Sequence, residues 1–142
     1  TTVYRSIENL SMQGYSILII STTRPDKLKE TYIIPSATYI WITDRSEIIE
    51  GAKVYSAGKL EIEVLKEIQN FYVDNKNAII VIDGIEHLKM ELGFDKLMKG
   101  LKRLCDSVSR LKGTLIVMLY KGSLNETELM MMRKNFDKVV ED

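Results

Sequence analysis

A chain of 142 residues with 45% hydrophobic and 28% charged side chains is long enough for one buried core and too apolar for a disordered polymer. Twenty basic and twenty acidic residues cancel, which removes the overall positive field of a dedicated nucleic-acid binder. No apolar run approaches eighteen residues, so no membrane span is expected, and a single cysteine, Cys105, excludes an internal disulfide or a CxxC motif.

Taken in chain order, the segment before Gly14 predicts a short helix, and SILIIS (16–21) predicts a strand buried on both faces, because its apolar run does not alternate. Thr23, Arg24 and Pro25 then mark a helix start, with the helix over Pro25 to Glu30, since proline fits the first helical turn. TYIWIT (38–43) is the next strand. Residues 45–58 show no periodicity and read as a surface excursion. Val64, Leu65, Ile68, Phe71 and Tyr72 line one side of a helix from Lys59 to Asp74. AIIVID (78–83) is the third strand, ending on an aspartate that opens another helix. Phe94, Leu97, Met98, Leu101, Leu104, Cys105 and Val108 recur at three and four spacing, which predicts a helix with Cys105 in its core stripe. Its opposite face carries Lys96, Lys99, Lys102, Arg103 and Arg110. TLIVML (114–119) is a fourth strand, a helix follows over Glu126 to Asn135, and a last short strand is expected at Asp137 to Val140. Strands alternating with helices predict a three-layer α/β/α sandwich on a mainly parallel sheet of four or five strands, in a single domain over residues 1–142. The chain opens on Thr1 with no charged-then-apolar leader, so a piece of a longer product is expected, in a reducing, cytoplasmic compartment.

Ligands of such sheets sit beyond the carboxyl ends of the strands, which here are Ser21 to Arg24, Thr43 to Arg45, Asp83 to His87 and Tyr120 to Ser123. Asp83, Gly84 and Glu86 admit two readings. An aspartate after an apolar strand can hold Mg²⁺ against nucleotide phosphates, in the manner of a Walker B strand. The same Asp-Gly-Ile-Glu has the form of a capping box, with Asp83 on an orphan amide and Glu86 reaching back. The phosphate cradle G-x-x-x-x-G-K-[ST] is missing, and Gly51 to Leu60 imitates it with the wrong spacing, so the cap is the expectation. Arg24 is a candidate anion contact, with Asp26 beside it. His87, the only histidine, has no nucleophile or second histidine to work with, and neither a catalytic residue, a metal nor a cofactor is expected. The basic helix face lacks interleaved aromatics, and nucleic acid is not an expected partner. In ETELMMMRKNF, Leu129, Met132 and Phe136 form one helical face, leaving Met130 and Met131 pointing elsewhere. These two are either covered by a neighbouring loop or the first helix, or form an interface with a protein partner or a second copy.

The succession GYSILIISTTRP, TYIWIT, IIVIDGIEHL, GFDKLMKGLKRLCD, an apolar strand and a helix ending in FDKVV resembles the archaeal family of domains of unknown function numbered 835. Its most specific pieces are the Trp41 strand and the Asp83-Gly84 turn followed by Glu86, Leu88 and Phe94. Two departures stand out: the family's extended strand before the first helix would fall ahead of Thr1, where this sequence starts too late to include it, and YKGSLN lacks the proline common after its last apolar strand. The resemblance implies a P-loop NTPase-like fold without a P-loop, related to RecA and KaiC-type ATPases. It further implies a noncatalytic module for interaction or regulation in archaeal signalling. The opening TTVYRSIENLSMQG is also similar to the helix that follows the phosphate loop in RecA-type ATPases, which implies the alternative of an ATPase fragment whose loop lies upstream of Thr1.

Overall fold

Branched aliphatic residues dominate the strands of the computed structural model, which describes residues 2–120 and 122–136. In chain order these strands are β1 (Ser16–Ser21), β2 (Ala37–Ile42), β3 (Ala52–Tyr55), β4 (Ala78–Asp83) and β5 (Thr114–Val117). The helices are α1 (Thr2–Met12), α2 (Pro25–Thr31), α3 (Leu65–Asp74), α4 (Ile85–Leu92), α5 (Phe94–Arg110) and α6 (Glu126–Asn135). The strands form one parallel sheet in the order β3-β2-β1-β4-β5.

Side-chain alternation along the strands splits the core into two layers. Ile17 and Ile19 of β1, Tyr39 of β2, and Ile79 and Val81 of β4 meet Tyr4 and Ile7 of α1 and Leu28 of α2. Leu18, Ile20, Ile40, Ile42, Ile80 and Ile82 point the other way, against α3, α4, α5 and α6. The result is the expected three-layer sandwich. Each fully buried isoleucine stabilises it by about 1.5–3 kcal/mol, and β1 and β4 are covered on both faces, which is why they read as unbroken apolar runs.

Three local expectations are corrected. Residues 45–58 are not merely a surface excursion, because they contain β3, which pairs with β2 through Tyr39, Ile40, Trp41 and Ile42. No helix lies between these two parallel strands, although such a crossover normally carries one. The helix expected from Lys59 begins irregularly: a 3₁₀ turn at Ala57–Lys59 leads into a π-helical turn at Leu60–Val64, and only then into α3. Cys105 is only partly buried, at the edge of the α5 stripe. The strand expected at Asp137 to Val140 lies outside the described residues.

Candidate functional site

Strand order reverses between β1 and β4, since the chain builds outward from β1 to β3 and then returns to β1's other side. The crevice beyond the carboxyl ends of these two strands is where an open α/β sheet takes ligands. Ser21 and Asp83 are register partners there, each the last residue of its strand.

Asp83 follows Ile79 and Val81 in the alternation, so its side chain faces the α1 layer. It is 6% exposed, and its Oδ2 accepts a hydrogen bond from the Tyr4 hydroxyl at 3.0 Å. Tyr4 is itself 1% exposed, inserted by α1 between the sheet and Tyr32, with which it stacks at 4.5 Å between ring centroids. Burial is the main force on both groups: it pushes the Asp83 carboxyl above its ordinary range, helped by the nearby Glu86 charge, while the Tyr4 hydroxyl and the Gly84 amide pull it back. The Tyr4 hydroxyl is raised by the same burial, and then by the Asp83 carboxylate beside it. This carboxyl is thus engaged by α1 and held away from solvent.

The capping expectation for Asp83 is therefore wrong. Gly84 is the cap residue of α4, with φ 96° and no side-chain cap bond. The physical reason is parity: α4 packs on the layer containing Ile80 and Ile82, whereas Asp83 points to the opposite face. Gly84 is required for two reasons, its left-handed backbone and its closeness to Thr22, whose side chain a Cβ there would overlap. Glu86 is exposed in the first turn of α4 and does not reach back to close a box. A genuine capping box occurs at α6 instead, where Asn125 accepts from the Glu128 amide at 2.8 Å and Glu128 accepts from the Asn125 amide at 3.0 Å.

The other candidates lie apart from this pair. Arg24 stacks over Trp41 at 5.5 Å and is held by Asp26 at 3.0 Å and Glu47 at 2.7 Å, so two carboxylates already occupy the guanidinium. Trp41 donates its indole N–H to the Thr22 carbonyl at 3.3 Å, tying β2 to the loop after β1. His87 stands exposed beside Glu91. Met130 and Met131 are 60% and 43% exposed on α6, while Met132 is buried. Tyr4 is the participant that sequence reasoning missed. Nothing in its local spacing marks it beyond a polar-tipped aromatic near Ile7 on one helical face.

Among the described residues, no three His, Cys, Asp or Glu side chains come together as a metal site, and no helix is long and apolar enough to cross a membrane. Comparison with curated proteins and with solved structures returned no match. Residues 1–136 match the model of a family described as protein of unknown function (DUF835), and the chain belongs to that family.

Proposed function

We propose that this chain is a noncatalytic α/β module for protein interaction or regulation, built on a RecA/KaiC-like core and serving archaeal signalling in the cytoplasm. The supporting observation is the Tyr4–Asp83 bond: the aspartate that would complete a metal–phosphate complex is used to dock α1 on the sheet. The interface would include Met130 and Met131, whose unbranched thioethers adapt to a partner's shape, with α6 anchored beneath them by Met132. The partner is a second copy or another protein. Sedimentation of the wild type and of a Met130→Glu, Met131→Glu variant tests this. Loss of self-association or of partner capture in the variant supports the interface, and identical monomeric behaviour with full partner capture sinks it.

One observation favours a second reading, a fragment of an active RecA/KaiC-like ATPase with its phosphate loop upstream of Thr1. The first turn of α1 stands at the carboxyl end of β4, as Tyr4 shows by reaching Asp83, and a helix that follows a phosphate loop starts at that end of a sheet. The residues encoded before Thr1 discriminate: G-x-x-x-x-G-K there would favour the ATPase.

A further inference from the structure

Gly100 is buried in the middle of α5, and a Cβ on it would lie only 3.1 Å from Leu60, so glycine lets α5 close on the π-helical turn Leu60–Val64. Beside that contact is a cavity of about 210 Å³, walled by Ala57, Leu60, Ile62 and Leu92 and rimmed by Lys96 and Lys99. This is the room of one large side chain. Ile62 is 68% exposed at its edge, which leaves an isoleucine in water next to an unfilled apolar hollow. Lys96 and Lys99 are exposed and take part in none of the ion pairs among the described residues. The only carboxylate on the wall among the described residues, Glu61, is faced by Arg103 at 3.9 Å, so its charge is already opposed. The turn that supplies half the wall is π-helical, a geometry that recurs at functional sites.

We propose that this groove docks an acidic peptide segment carrying one large apolar side chain, which fills the cavity while carboxylates on either side of it pair with Lys96 and Lys99. The proposal rests on the interaction-module reading and names a surface and a partner chemistry for it, away from Met130 and Met131. Charge complementarity selects the occupant: two unpaired cations at the mouth of an apolar hollow match an apolar anchor between acids. Among the described residues the lining contains no aromatic ring on which a nucleobase could stack, which disfavours single-stranded RNA. A concave hollow sized for one residue likewise offers a flat anionic membrane little to fill.

The test is a titration of the isotope-labelled full chain with a short peptide of Asp and Glu residues around a single Phe, followed by amide shifts and fluorescence anisotropy. Shifts should concentrate at residues 60–64 and 92–99. Replacing the peptide's Phe with Ala should weaken binding about tenfold, the effect of withholding one apolar side chain from a pocket. Lys96→Glu with Lys99→Glu should weaken it by a similar factor of about ten and flatten its salt dependence, with the fold unaffected because both lysines are exposed. Equal binding of the Ala peptide, shifts spread over the remaining basic surface, or tighter binding of single-stranded RNA or phosphatidylserine vesicles would each overturn the proposal. The Met130→Glu, Met131→Glu variant is titrated in parallel. If the peptide binds it normally, a failed sedimentation test counts against the α6 interface alone; if the peptide fails on every chain while sedimentation succeeds, only the groove is lost.

Discussion

Replacing Asp83 by Ala and by Asn separates a helix tether from a cation site. In the Ala variant the Tyr4 hydroxyl, on a side chain 1% exposed, loses the acceptor 3.0 Å away and stays buried. The hydroxyl keeps its contact with Ser21, so losing this one bond costs about 1 kcal/mol. Asn keeps an acceptor oxygen in the same place and never ionises, so it should cost far less at neutral pH. The pH dependence sharpens the contrast. Burial holds the folded Asp83 carboxyl above its unfolded value of about 3.9. Stability from this group is therefore complete below about pH 4 and is lost as pH rises through the higher folded value. The Asn variant has no such loss, so its unfolding free energy minus that of the wild type should grow from acid toward neutrality. Taking the difference cancels Glu8 and Glu128, whose lowered values act in the opposite direction in both chains. Urea unfolding between about pH 4 and 8, followed by the fluorescence of Trp41, the single tryptophan and 4% exposed, gives the measurement. If the Asn variant instead loses ground as pH rises, or falls as far as the Ala variant at neutral pH, the carboxylate is wanted in its charged form and the tether account fails.

Gly84→Ala should destabilise the chain by more than about 2 kcal/mol, because it combines a left-handed backbone with overlap on Thr22; Thr22→Ala in the same chain should recover part of this in urea melts, and no recovery refutes the overlap. Asn125→Ala should cost about 1 kcal/mol through loss of the α6 cap, read by thermal unfolding, and an unchanged midpoint would show that the box does not hold α6. A fluorescent ATP analogue with Mg²⁺ should show no saturable binding in the micromolar range, and clear saturation there would overturn the noncatalytic reading.

The two kinds of strand account for what could be read from residues alone. β1 and β4 are buried on both faces and announce themselves as apolar runs, whereas β3 is a four-residue edge strand in which Lys53 is exposed, and no helix precedes it to signal a crossover. Asp83 shows the limit of local spacing. Its alternation with Ile80 and Ile82 can be counted in the sequence, but which sheet face α4 covers depends on tertiary packing, and that face decides whether the carboxyl can cap. Asn125 and Glu128 carried the right spacing in plain view ahead of an apolar run. Tyr4 could not be found this way, since its role depends on a residue far along the chain. The π-helical turn before α3, whose Leu60 packs close to Gly100, likewise has no periodic signature.

The Tyr4–Asp83 contact joins positions 79 apart, and this orders events during synthesis. α1 is made before every strand it covers, and its landing place is completed only when β4 enters the sheet beside β1. At ribosomal speeds of about 5–20 residues per second, Tyr4 and Ile7 wait roughly 4–16 s for that strand to be translated. Once β1 and β2 have been made, β1 still lacks one neighbour until β4 follows, and the apolar face of α1 has only part of its landing place. Substitutions that speed the docking of α1 cannot shorten the wait, because translation sets it. Soluble yield from cells should accordingly respond to chaperone supply and to codon choice over residues 13–83 more than to the equilibrium stability of the finished domain.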